Sequence, residues 1–198
     1  VVDGSSLVYT RINSVSCLGV NDPDTLYVDD ATSFSVHDTV LVYQTIGATP
    51  NLPGSGGEGE VESMYNTGKY AIFKIGEVVD DTSIVLNTTL PKMNNYQPGE
   101  VGQLIRIKTY DRATVEAGLT FPAWDPVAQT GGVFPVIVKK TLTLNADIDA
   151  TGKGFRGGQP SGQYTNDCAD TDPAYLENYY TEAAVDTAAE KGESLIVR

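Results

Sequence analysis

The chain has 198 residues, enough for one good hydrophobic core or two small ones, and its 40% apolar and 9% aromatic content sets it apart from disordered sequences. Asp and Glu number 26 against 13 Lys and Arg, a net charge of −13. So acidic a chain repels phosphate backbones and anionic lipid headgroups, which argues against nucleic-acid binding, and its plainest meaning is solubility.

The longest apolar runs, such as Phe134-Pro135-Val136-Ile137-Val138, are far too short to span a bilayer, so no membrane insertion is expected. No initiator Met, basic n-region or apolar h-region opens the sequence. The expectation is an exported chain whose signal has been removed, and a processed or fragmentary piece of something longer.

Residues 1–110 read as short strands separated by turn chemistry. Leu7 to Ile12 is an apolar, β-branched run. Asn21-Asp22-Pro23-Asp24 is a turn cluster, followed by the alternating Thr25-Leu26-Tyr27-Val28. Thr39 to Gln44 is the clearest strand, introduced by His37-Asp38. Tyr70 to Ile75 and Ser83 to Leu86 flank Val79-Asp80-Asp81, a hairpin turn signal, and Leu104 to Lys108 alternates cleanly. Asp24-Thr25-Leu26-Tyr27-Val28 is echoed by Asp81-Thr82-Ser83-Ile84-Val85-Leu86, too loosely for a duplication. This spacing predicts a small β-barrel or sandwich. Between the strands, residues 47–69 are rich in Gly and Pro, with Glu58, Glu60 and Glu62 among them. No Gly-Lys-Ser/Thr closes this stretch, so it reads as an exposed insertion and not a phosphate loop.

The pattern changes over residues 111–158. After Gly131-Gly132, β-branched segments punctuated by Gly and Asn run to Gly152. Leu142, Leu144, Ala146 and Ile148 share one face at strand periodicity, with Thr143, Asn145, Asp147 and Asp149 on the other. The start of a parallel β-solenoid and an antiparallel sandwich edge both suit this periodicity. Residues 159–198 form a cover segment, a polar loop and then one short C-terminal helix over 174–191, started by Asp172-Pro173 and stopped by Gly192. The fold class expected is therefore mainly β: a small barrel or sandwich, the start of a parallel solenoid, and one helix.

Several residue sets have side chains capable of chemistry. His37, the sole histidine, adjoins Asp38, but adjacency in sequence does not make a triad and no Gly-x-Ser-x-Gly elbow supplies a nucleophile. Asp147 and Asp149, two apart on one strand face, would stand about 6–7 Å from each other, a spacing that suits an inverting glycosidase. The plainer reading puts them on a solvent face before a turn, so no catalytic residue is assigned. Asn145-x-Asp147-x-Asp149 begins like a calcium loop but meets Ala150 and Arg156 where Gly and Glu are needed. Two further oxygen-rich stretches, Asn21-Asp22-x-Asp24 and Asn166 to Asp172, read first as turns, with Ca²⁺ as the alternative; no other metal or cofactor is implied. Trp124, between Pro122 and Pro126, reads as a buried plug, with an exposed sugar platform as its alternative. Cys17 and Cys168 are an even count, which in an exported chain favours one disulfide; two separate buried thiols is the other reading. Asn87-Thr88-Thr89 is a formal N-glycan sequon.

The series Ala123-Trp124-Asp125, Thr130-Gly131-Gly132-Val133, and Leu142 through Gly158, ending Gly-Lys-Gly-Phe-Arg-Gly-Gly, resembles the N-terminal region of large Bacteroidota-type cell-surface proteins. These are gliding-adhesin-like proteins exported by the type IX route. The resemblance implies a secreted or cell-surface location and non-enzymatic adhesive, filament or scaffold work. Its partners would be the cell envelope or a larger surface filament, and host or environmental glycans. It also implies O-glycosylation after Asp, for which Thr25, Thr39 and Thr187 fit the pattern. A polysaccharide-active solenoid hydrolase or lyase, and a phage or secretion-machine structural part, are the alternative readings.

Overall fold

A computed structural model describes residues 1–2, 4, 7–16, 24–50, 61–64, 67–87 and 101–155. Twelve strands form within them: β1 (Tyr9–Ser16), β2 (Thr25–Val28), β3 (Thr39–Ile46), β4 (Thr49–Pro50), β5 (Val61–Ser63), β6 (Tyr70–Asp80), β7 (Ser83–Leu86), β8 (Val101–Arg106), β9 (Lys108–Val115), β10 (Leu119–Thr120), β11 (Val136–Leu144) and β12 (Ile148–Asp149).

Six of these strands hydrogen-bond in the cyclic order β1-β2-β7-β6-β3-β8, with β8 returning to β1, and every pairing in the ring is antiparallel. Strand alternation explains which side chains point inward. Val40 pairs with Phe73, Val42 with both Ala71 and Leu104, and Leu26 with Ile84. These residues, with Ile12, Val28, Ala31, Phe34, Ile75 and Leu86, make one core, buried except for the half-buried Ala71 packed against it. Short polar turns connect the ring. The β6–β7 hairpin turns at Asp81-Thr82, where the Asp80 carboxylate accepts the Thr82 amide at 2.8 Å and its hydroxyl at 3.0 Å. Asp30 does the same for Thr32 just after β2. The two echoing segments, β2 and β7, prove to be neighbours in the ring.

The outer face of β1, β3 and β8 is also apolar. Leu41, Ile105 and Ile107 are buried there, with Tyr9, Tyr43, Val133 and Ile137 packed against them. Residues 129–137 lie over this face and tie into it. Gly131 exchanges hydrogen bonds with the Gln103 side chain, Arg11 donates to Gln129, and the Tyr9 hydroxyl donates to the Val133 carbonyl at 2.6 Å. Burial pushes the Tyr9 phenol up to about 12.

Three further sheets have two strands each. β4 pairs antiparallel with β5, while β9 with β11 and β10 with β12 are parallel. Val2, Ala113, Val115 and Leu119 are the buried residues of this region, with Tyr110, Phe134, Val138 and Ala146 against them.

The expected fold class is corrected by this arrangement. A barrel or sandwich giving way at residue 111 to solenoid coils does not describe what is seen: the described residues are mainly β, and their smaller sheets are neither closed nor curled into coils. Strand β9 runs through the expected boundary at 110/111 and pairs with a strand some 29 positions later. The reason lies in the connection Gly131 to Pro135, which carries the chain across the ring's outer face before β11 begins. The described residues contain no helix. The helix expected over 174–191 and most of the Gly-rich insertion lie outside the described residues.

Candidate functional site

The carboxylate pair singled out in the sequence does not assemble. Asp147 precedes β12, and its backbone carbonyl accepts the Leu119 amide at 2.9 Å. The Asp149 carboxylate turns back on its own chain and accepts the Thr151 amide at 2.8 Å. Hydrogen bonds from the Thr151 side chain and backbone, aided by the Lys153 charge, hold Asp149 below the usual carboxylate range. A general acid needs the opposite shift. Asp149 is therefore a turn residue, of the same kind as Asp30 and Asp80, whose carboxyls are lowered by bonds to Thr32 and Thr82.

The other candidates also resolve into structural roles. His37 is exposed, in left-handed backbone at φ 72°, and its amide donates to the Ile75 carbonyl. The Asp38 carboxylate is engaged by other groups, accepting the Ser35 amide at 2.9 Å with Arg106 at 3.7 Å. Asn145 donates to Glu116 at 3.0 Å, which takes its side chain away from an oxygen cage with Asp147 and Asp149. Among the described residues no three His, Cys, Asp or Glu side chains gather as a cation site. Trp124 is buried, its amide donating to the Lys153 carbonyl at 2.8 Å and its Cβ close beside Gly132. It is unavailable as a sugar platform. Thr25 and Thr39 are half-buried first residues of β2 and β3. Thr187, Cys17 and Cys168 lie outside the described residues, as do Asn21, Asp22 and the loop 166–172.

A surface that the sequence reading passed over lies on the ring's exterior. Tyr43 of β3 is the direct cross-strand partner of Tyr70 of β6, and Leu41 of Ile72. Directly opposed residues present their side chains on one face, about 5 Å apart at Cβ. Residues 129–137 cover this face over β1, β8 and β3, where Leu41 is buried and Tyr43 half-buried. Beyond β3 it is bare: Tyr70 is 66% exposed and Ile72 is 51% exposed. Lys74 continues the same face, exposed beside Thr39. An apolar strip ending in an accessible tyrosine ring, with an ammonium beside it, can stack against a sugar face and bond its hydroxyls. The alternation Tyr70-Ala71-Ile72-Phe73 hides this strip, because the inward and outward residues are both apolar.

No family model, curated protein or solved structure matches the chain.

Proposed function

We propose that this chain is a non-enzymatic, extracellular β module of a larger adhesin or surface filament, anchored to the cell envelope and meeting glycans through the outer face of β6. The observation that carries the reading is the bare strip of Tyr70 and Ile72 beside Tyr43, on a sheet held rigid by pairing on both sides. A rigid platform loses little conformational freedom on binding, and stacking tolerates varied sugars. The resemblance to large Bacteroidota-type surface proteins supports the same assignment. The polysaccharide-hydrolase alternative needs Asp149 free and protonatable, and Thr151 engages it.

The test is binding of the full chain to immobilised envelope and host polysaccharides, with reducing-end release followed in parallel. Wild type should bind without releasing sugar ends, and Tyr70→Ala combined with Ile72→Ser should weaken binding at least tenfold. Equal binding by that variant would discard the surface. Sugar release abolished by Asp149→Asn would instead establish the enzyme.

A further inference from the structure

Strands β3 and β6 part beyond the Tyr43–Tyr70 pair, and three oxygens enclosed there have no hydrogen-bond partner. The last rung before the opening is made by Gln44, whose amide donates to the Lys69 carbonyl at 2.9 Å and whose carbonyl accepts the Gly68 amide at 2.8 Å. The chain pairs again at Thr49 of β4 with Ser63 of β5. Along its other edge β3 shifts register against β8 between Gln44 and Ile46. An irregularity of this kind re-aims side chains.

Gln44 and Thr67 are buried, at 3% and 7% exposed. Gln44 Oε1, Thr49 Oγ1 and Thr67 Oγ1 are each enclosed and unpartnered. The Gln44 carboxamide lies along its own strand toward the opening, because its Nε2 donates to the Ile46 carbonyl at 2.8 Å. That bond also fixes which end of the amide is which, since the flipped group would set two acceptors against each other. Thr67 adjoins the Gly68 rung on the facing segment, its amide donating to the Met64 carbonyl at 2.9 Å, and Thr49 stands at the far rung. The two rungs thus bring all three oxygens to one opening a few residues long.

Unmet polar groups in an enclosed site are costly, so the occupant is set by what they lack. Gln44 Oε1 only accepts and needs a donor, while each hydroxyl carries a proton that needs an acceptor. A metal ion would serve the three lone pairs and strand both hydroxyl protons. An anion would serve the hydroxyls and repel the amide oxygen. Water meets both needs: it gives a proton to Gln44 Oε1 and takes one each from Thr49 and Thr67, the roughly three bonds that a buried water makes.

We infer that one water molecule is bound in this opening, bridging Gln44 Oε1, Thr49 Oγ1 and Thr67 Oγ1 and bracing the rung beside Tyr43 and Tyr70. The site stands whether or not that face meets glycans. A crystal structure of the full chain should show one water within hydrogen-bond distance of all three oxygens; a dry opening, or one filled by a side chain, overturns the proposal. In solution, magnetic relaxation dispersion of the water oxygen counts waters held for longer than the protein tumbles. Thr49→Val combined with Thr67→Val keeps the shape and removes both hydroxyls, so this variant should hold one long-lived water fewer than wild type. Thr67→Ser should hold the full number. Equal counts in wild type and the double variant refute the site, with Trp124 emission as the check on folding. Melting in sodium, potassium and N-methylglucamine chlorides at one ionic strength separates water from a metal ion. Equal midpoints are expected, and a rise specific to one cation would overturn the water in favour of that ion.

Discussion

The Gln103 side chain joins the ring to the segment that crosses its outer face, and replacing it should loosen both. Gln103 is fully buried in β8. Its Oε1 accepts the Gly131 amide at 3.0 Å, and its Nε2 donates to the Gly131 carbonyl at 3.2 Å and to the Thr45 hydroxyl at 3.3 Å. Gln103→Met keeps most of the volume but strands both polar groups of the Gly131 peptide. Each buried unsatisfied group costs about 1–3 kcal/mol, so the variant should lose roughly 2–6 kcal/mol. Gln103→Ala adds a cavity and should lose about 1–2 kcal/mol more. Thr45→Val removes only the longest of the three bonds at nearly constant shape and should cost about 1 kcal/mol or less. Against a typical total of about 5–15 kcal/mol, such a loss is a large share of the stability and is readily measured. Urea titration followed by far-ultraviolet dichroism measures the loss, and the emission of Trp124, the sole tryptophan, reports on the 122–132 segment itself. If Gln103→Met costs no more than Thr45→Val, the peptide of Gly131 is not held as described and the reasoning fails.

Two glycines in left-handed backbone should respond differently to alanine. Gly131 has φ 95° and a Cβ there would strike the Ala123 carbonyl, so Gly131→Ala should cost about 3 kcal/mol or more; Gly152, at φ 64° with open space around it, should cost only about 1–2 kcal/mol, and equal thermal shifts would contradict this. The turn carboxylates give a pH signature. Asp30, Asp80 and Asp149 titrate below their unfolded values, so their contribution is present above about pH 4 and is lost as pH falls through the lower folded values. Stability measured in the acid range should therefore fall less steeply in Asp30→Asn, Asp80→Asn and Asp149→Asn than in wild type, and an unchanged slope would show that the Thr contacts do not bias protonation.

Local pattern determined a good deal of this protein. Thr25 to Val28, Ser83 to Leu86 and the Thr39 and Tyr70 strands begin where period-two alternation and turn residues place them. The turn at Val79-Asp80-Asp81 was legible from its residue types, but the shared bonding of Asp30, Asp80 and Asp149 to the threonine two residues on came only from the structure. Tertiary structure decided the rest, since alternation sorts side chains onto two faces without saying what each face meets. Leu41 and Ile105 point out of the ring, and only the return of residues 129–137 buries them. Leu142 and Leu144 have the same alternation as a buried row and yet remain exposed, which the pattern alone does not reveal. Asp147 and Asp149 have the spacing of a pair, but the strand starts between them and Thr151 takes the second carboxylate, which spacing alone does not tell. Strand partners lie tens of residues apart, so their choice rests on the summed packing and ladder bonds of a whole sheet, a quantity that no window of sequence contains.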